Sequence, residues 1–338
     1  MILNNGIEIE NSSCIEEAIR DAYDDSINPI VVIRCITYNQ KDYVAETLDS
    51  FVSQDTDFPF IAIVHDDASN DGTREIIKEY ATRYPKIIKA VCDDVNRYSQ
   101  RTLGHIMDTL IEAYDPLYVA ICEGDDYWTD KLKLQKQVDY MENNPECVMC
   151  HGDYEIINGK KRKALPHYDE EPFFGPGHVH DYTIASLTVL YRYKAYKKLP
   201  HYAHDKKWLM GDLPLWIELS REGKFHYFPE VFGKYRVLAN SASHSTNAEQ
   251  IIRFWECGND IVEFYSKLYG YNYEERPRKT LYWRIQYQCY ENHDKIQAKK
   301  YWKEGQKYKA NNIKSFVYYI CNIFNARWLI DLIYKILE

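Results

Sequence analysis

The sequence predicts an α/β protein: a mostly parallel sheet flanked by helices, followed by a C-terminal helical appendage. Three observations carry that expectation. Between Pro29 and Cys150, short apolar runs alternate with segments whose apolar residues recur at helical spacing, the pattern of successive βα units. The runs that read as strands are continuously apolar, as in a sheet covered on both faces. From 249 to 338 the composition shifts to helical periods rich in Lys, Tyr and Trp, with no proline after Pro277.

The elements follow in order. Residues 1–28 are polar and acidic, with a short helix around Ile15 to Tyr23, and read as a prefix. Pro29 opens the first strand, Ile30 to Ile36. Val44, Leu48, Phe51 and Val52 form one helical stripe, and the run Phe60 to Val64 is the second strand, stopping at His65-Asp66-Asp67. A helix carrying Ile76, Ile77 and Tyr80, a strand Ile87 to Cys92, a helix with Leu103, Ile106, Met107, Leu110 and Ile111, and a strand Leu117 to Cys122 repeat the alternation. Thr129 then caps a helix through about Met141, and Cys147 to Cys150 is another strand. From 151 to about 182 Pro, Gly and His accumulate and periodicity fades, which predicts a long functional or mobile loop region. The expected organisation is a prefix at 1–28, an α/β domain at 29–245 and the helical appendage at 246–338.

Composition bounds the function. With 338 residues, 45% hydrophobic and 28% charged, the chain can bury a sizeable core and is neither collagenous, disordered nor a multi-span membrane protein. A net charge of −9 argues against a nucleic-acid binder, because phosphate backbones are gripped by excess Lys and Arg. Nine cysteines lack framework spacing and mostly sit in apolar runs, the expectation for a reducing, cytoplasmic setting. The start MILNNGIEIENSS lacks a basic, apolar leader, and no run approaches the ~20 apolar residues of a membrane span, so the chain is expected to be neither exported by that route nor integral.

In open parallel sheets, ligands bind outside the carboxyl ends of the strands. Two acidic clusters fall there: Asp66-Asp67-Ala68-Ser69-Asn70-Asp71-Gly72 after the second strand, and Glu123-Gly124-Asp125-Asp126-Tyr127-Trp128 after Leu117 to Cys122. Like charges so close are costly unless a cation or protonation relieves them, and carboxylate oxygens suit Mg²⁺ or Mn²⁺. Neither a dinucleotide-type nor a Walker-type glycine loop is present, so a nucleotide diphosphate would be held through that metal. Asp66 to Gly72 reads equally well as a turn with a helix cap. An EF-hand register fails, because it sets Lys78 where the bidentate glutamate should stand.

In these residues the chain resembles family 2 glycosyltransferases of the GT-A fold, a Rossmann-like sheet, over about 29 to 245. Four segments match in order: Cys35-Ile36-Thr37-Tyr38-Asn39, Asp66 to Thr73, Glu123-Gly124-Asp125-Asp126, and Gly211-Asp212-Leu213-Pro214-Leu215-Trp216. The resemblance implies an inverting, metal-dependent transfer of a sugar from a nucleotide-sugar, UDP- or dTDP-linked, to a hydroxyl of a glycan or lipid-linked acceptor. It implies that Thr37, Tyr38 and Asn39 line the nucleotide pocket and that Asp66 or Asp67 accepts the base imide hydrogen bond. Asp125 becomes the main Mn²⁺ or Mg²⁺ ligand and a nucleotide contact. Asp126 lies close by, and Glu123 replaces the usual first aspartate with a longer arm. Asp212 becomes the catalytic base, and Arg236 and His244 approach the diphosphate, His244 as a metal ligand or phosphate contact. The setting implied is bacterial surface-polysaccharide assembly on the cytoplasmic side.

Other signals are weaker. Cys147-Val148-Met149-Cys150-His151 matches a haem-attachment pattern but lies in an apolar strand, where buried thiols are expected. Two His-rich stretches, His178 to Asp181 and His201 to Asp205, read as loops. Ile313 to Leu337 is apolar enough for peripheral contact with the inner face of the cell membrane, and packing within the appendage explains it as well. A nucleotidyltransferase would want a basic, Gly-rich loop where Thr37-Tyr38-Asn39-Gln40 stands. A sugar- or nucleotide-binding scaffold of the same fold that has lost its chemistry is the alternative outside enzymes.

Overall fold

A computed structural model describes residues 1–3, 6–10, 13–24, 27–158, 161–165, 168, 175, 177–202, 208–238, 247–272, 278–326, 328 and 330. The chain divides into two compact units, one of Met1–Lys207 with Pro214–Arg236 and one of Trp208–Leu213 with Val237–Glu338.

In the first unit the strands are β1 (Val31–Thr37), β2 (Phe60–Asp67), β3 (Ile88–Asp93), β4 (Tyr118–Ile121), β5 (Tyr127–Trp128), β6 (Cys147–Asn158), β7 (Lys161–Leu165), β8 (Leu190–Arg192) and β9 (Lys224–Arg236). Its helices are α1 (Ser13–Asp24), α2 (Val44–Val52), α3 (Thr73–Arg83), the single turn α4 (Arg97–Gln100), α5 (Leu103–Tyr114), α6 (Lys133–Asn143), the single turn α7 (Tyr193–Tyr196) and α8 (Asp212–Leu219), whose first two residues fall in the second unit. Among the described residues these strands form one sheet ordered β3-β2-β1-β4-β8-β6-β9-β5, with β7 paired to β6.

The four strands read first from the sequence are parallel neighbours, with Ile33 opposite Ala62 and Ala120. The interiors of β1 and β2 are apolar because both faces are covered: Val31, Val32, Ile33, Ile61, Ala62 and Val64 are fully buried. Val44, Leu48 and Phe51 of α2 and Ile77 of α3 pack against this core. Beyond β4 the sheet is mixed, since β8 runs antiparallel to β4 and β6, β6 runs parallel to β9, and β5 runs antiparallel to β9. Only two residues separate β6 from β7, a connection that permits an antiparallel hairpin and no parallel crossover.

Two differences from the sequence expectation have physical causes. The 151–165 stretch, expected as loop, continues β6 and makes β7. The strand is disguised by buried polar residues: His151 is fully buried, and Asp153 accepts the Tyr227 hydroxyl at 2.5 Å. The prefix is also integrated, because α1 packs on α5 and β3 through Ile15 and Ala22.

The second unit holds α9 (Ala248–Tyr269), α10 (Arg278–Glu291), α11 (Lys295–Lys307) and α12 (Ile313–Ile323). Asn247, Asp294 and Asn312 cap three of them by accepting backbone N–H groups. Gly270, at φ +73°, ends α9 in the left-handed conformation that glycine tolerates. Ile251, Leu281, Tyr282, Ile285, Ala298 and Tyr301 form its core, and Trp208 packs against Phe264 and Tyr265.

Candidate active site

The parallel register brings Thr37, Asp66 and Asp67 to one rim. Thr37 ends β1 opposite Asp66 of β2, and Asp66 and Asp67 stand opposite Cys92 and Asp93 of β3. The Gly124 N–H donates to the Ile36 carbonyl at 3.0 Å, which ties the Glu123–Asp126 loop to the same edge. A Cβ on Gly124 would lie 2.3 Å from the Thr37 methyl and 2.5 Å from Gln40 Oε1, so close approach requires glycine there.

In the first acidic loop the carboxylates are matched by donors. Asp66 is fully buried; its Oδ1 accepts the Thr37 hydroxyl at 3.3 Å, and its Oδ2 accepts the Ser69 N–H at 3.2 Å and Arg74 Nε at 3.3 Å. Asp67 accepts the first N–H groups of α4, from Arg97 at 2.5 Å and Tyr98 at 3.1 Å. Burial raises the Asp67 carboxyl, and those two bonds oppose the rise. Asp71 accepts the Thr73 N–H at 3.0 Å at the start of α3 and the Lys41 N–H at 3.1 Å. Asn39, at φ +52°, donates its N–H to the Ser69 hydroxyl oxygen and accepts the Asn70 N–H on Oδ1. The loop therefore latches β1–α2 to β2–α3, as the turn-and-cap alternative predicts. Tyr38, half exposed, is the aromatic face left open beside it.

A neighbouring network escaped the sequence reading. Arg97, 1% exposed, donates Nε to Asp93 at 2.7 Å and a second guanidinium nitrogen at 3.2 Å, and His65 lies 3.8 Å from the same carboxylate. Burial by itself would raise Asp93; the neighbouring His65 ring, the Arg97 hydrogen bonds and the Arg97 charge outweigh it and hold the carboxyl at about 2. The four-residue spacing of Asp93 and Arg97 was its only trace in the sequence.

The second loop is organised differently. Glu123 turns toward β1, where Oε1 meets Arg34 at 3.4 Å and Oε2 accepts the Ile36 N–H at 3.3 Å. Asp126 is 2% exposed and accepts the Arg236 N–H at 2.8 Å, while Asp125 is half-buried. Burial raises both carboxyls, Asp126 well above the ordinary range with the Asp125 charge as the next cause. Arg236 holds the loop from β9: its guanidinium donates to the Asp125 carbonyl, pairs with Glu46, and lies between the Tyr127 ring at 4.6 Å and the Tyr43 ring at 5.1 Å. Beneath the loop, Trp128 donates to the Leu187 carbonyl at 2.7 Å and faces the fully buried Lys133 ammonium at 4.3 Å.

A divalent cation suits this second loop through the mode in which one or two carboxylates and substrate phosphates supply the ligands. Among the described residues no group of three or more His, Cys, Asp or Glu side chains is arranged to hold a metal by itself. Two carboxyls raised by burial, Asp126 also by the Asp125 charge, are a donor set that such an ion would relieve. His244 lies outside the described residues.

Asp212 begins α8 as an exposed residue whose Oδ1 accepts the Leu213 N–H at 2.8 Å. The helix is held by buried Leu213, Trp216, Ile217 and Leu219. The Cys147 and Cys150 thiols and the His151 ring are buried within β6, as core packing expects.

The sequence model of glycosyl transferase family 2 matches residues 32–199. An uncharacterized protein of Mycobacterium tuberculosis is 34% identical over 224 residues, covering 65% of this chain and 62% of the relative. The match thus spans less than two thirds of that relative's length. The structure of Staphylococcus aureus TarS 1–349 with UDP-GlcNAc superposes with a TM-score of 0.52 at 17% identity, covering 77% of this chain and 72% of that one. A mannosyltransferase of Pyrobaculum calidifontis in complex with GDP-Man and Mn²⁺ superposes with a TM-score of 0.52 at 13% identity over 94% of this chain and 89% of that one. At such identities the two structures speak for the fold.

Proposed function

The chain belongs to glycosyl transferase family 2 and has the GT-A fold, and from that premise we propose that it transfers a sugar, with inversion, from a nucleotide-sugar to a hydroxyl of a glycan or lipid-linked saccharide. The observation that carries this is the Glu123–Asp126 loop. It stands at the carboxyl rim where ligands of open α/β sheets bind, and it holds an acidic pair that a cation would relieve.

Asp125 is the main residue assigned to hold Mn²⁺ or Mg²⁺, with Asp126 behind it and Glu123 contributing charge from its place against Arg34. Bound there, the ion would act as a Lewis acid that offsets charge on the departing diphosphate. Thr37, Tyr38 and Asn39 form the base side, and Tyr38 offers its exposed ring for stacking. Asp66 or Asp67 is assigned as the imide acceptor, the first now held by Thr37, Ser69 and Arg74 and the second by the Arg97 and Tyr98 N–H groups. An imide acceptor at either place is assigned to a UDP- or dTDP-linked donor, although the fold neighbours were solved with UDP-GlcNAc in one case and GDP-Man in the other.

Asp212 takes the proton from the acceptor hydroxyl as that oxygen bonds to the anomeric carbon. The bond from this carbon to the diphosphate oxygen breaks, the nucleoside diphosphate leaves with the electron pair, and the configuration inverts. General-base assistance of this kind contributes about 10²–10⁴ in rate. Transfer is assigned to the cytoplasmic side of a bacterial membrane, as part of surface-polysaccharide assembly.

The test is Asp212→Asn, with transfer and donor binding measured separately. Transfer is expected to fall by about 10²–10⁴ while donor binding stays within about two-fold. Normal turnover would remove Asp212 from the chemistry. A wild-type chain that binds donor but transfers to no acceptor would favour the scaffold alternative.

A further inference from the structure

Helix α12 has two apolar sides. One is packed: Tyr318 and Cys321 join Tyr290 and Ile330 in a small core, and Ser315 and Asn322 are buried with them. The other carries Ile313, Phe316, Ile320 and Phe324, a row at helical spacing that a packed helix would normally fill with polar residues. Ile313 is 82% exposed and Phe324 69%. Trp328, beyond the helix end, is exposed as well.

The charge beside this row is opposite to that of the whole chain. The protein as a whole is acidic at −9, yet residues 295–314 hold seven lysines against the single acid Glu304. Trp302 of α11 stacks on Tyr319 of α12 at 4.7 Å and lies 5.8 Å from Phe316, which places the exposed side of α11 next to the row. Lys299 and Lys303 flank Trp302 on that exposed side. Among the described residues neither has a carboxylate within ion-pair distance, whereas Lys300 is matched by Glu249 at 3.7 Å. Exposed aliphatic and aromatic side chains bordered by unmatched lysines are the composition of a helix that lies in a lipid headgroup layer. Among the described residues no helix is long and apolar enough to cross a membrane, so the contact would be interfacial.

We propose that the Ile313–Phe324 face of α12, with the lysines of α11, docks the protein on an anionic bilayer surface. The apolar row enters the headgroup–acyl boundary and the lysines meet lipid phosphates. This surface is independent of the catalytic assignment, and its failure would leave that assignment untouched.

The experiment is co-sedimentation of the full chain with phosphatidylglycerol–phosphatidylcholine vesicles and with phosphatidylcholine vesicles alone. Binding to the anionic vesicles is expected to be at least about ten-fold tighter and to weaken with salt. Phe316→Ser with Phe324→Ser, and separately Lys299→Glu with Lys303→Glu, should each reduce it by about ten-fold or more. Unchanged circular dichroism would show that both exposed double variants fold. Absent binding of the wild type at low salt, or undiminished binding of both variants, would overturn the proposal. So would a solution dimer broken by the phenylalanine substitutions with vesicle binding unaltered, since the face would then belong to a second copy.

Discussion

Two acid-rich loops share one rim of the sheet, and they differ in what meets their charges. After β2, Asp66 and Asp67 accept hydrogen bonds from a hydroxyl, three backbone N–H groups and the Arg74 guanidinium, and Asp93 beside them has Arg97. After β4, Asp125 and Asp126 are enclosed together, with the Arg236 backbone N–H as the donor to Asp126. Acid-rich loops thus yield a latch in one place and, in the other, a pair whose rise the Arg236 charge offsets only in part. On the proposed assignment, the metal site is marked less by the number of acids than by the donors they lack.

The largest effect on stability should come from testing the sign of that contrast. Asp93→Asn removes the charge opposite a buried guanidinium and is expected to cost about 3–5 kcal/mol. Asp126→Asn removes a repelled charge and should leave stability unchanged or raise it by about 1 kcal/mol, measured by urea unfolding at neutral pH. The pH dependence has opposite signs as well. Asp93 is held at about 2, so its contribution is present above the unfolded value near 3.8 and is lost as pH falls toward 2. Asp126 is raised, so it favours the fold at low pH, and that benefit fades as pH climbs above the unfolded value. Equal losses from both substitutions would erase the distinction between the loops.

Lys133 is fully buried under Trp128, bonded to Gln137 Oε1 at 2.8 Å, and burial lowers its ammonium to about 7. The unfolded chain binds this proton up to about 10.5, so stability should rise with pH between about 7 and 10. Lys133→Met should abolish that slope and add about 1–3 kcal/mol near neutral pH. A retained slope would place its origin elsewhere.

Much of the fold was legible because β1, β2 and β4 lie inside the sheet with both faces covered and their helices repeat cleanly. Legibility failed where polar residues are buried or strands bulge. His151 and Asp153 hid the continuation of β6, and register shifts against β6 between Gly152 and Tyr154 mask the alternation of β9. At the site, Gly124 between two acids was readable, because glycine there has a steric reason. The Arg236 clamp and the Arg97–Asp93 pair were not readable, because their geometry depends on register between strands and turns that are distant in sequence or unremarkable locally. The exposed row on α12 was visible as apolar content, but separating its packed side from its open side required coordinates.

The most direct test of the central claim is thermal stability with UDP, dTDP and GDP, each with and without Mn²⁺, for the wild type and Asp125→Asn. A ligand that binds only the folded state raises the melting temperature by mass action. The expected result is a rise of about 5 °C with UDP or dTDP when Mn²⁺ is present, little with nucleotide alone, and its loss in Asp125→Asn. A metal-dependent rise preserved in Asp125→Asn, or no rise with any nucleotide, would contradict it.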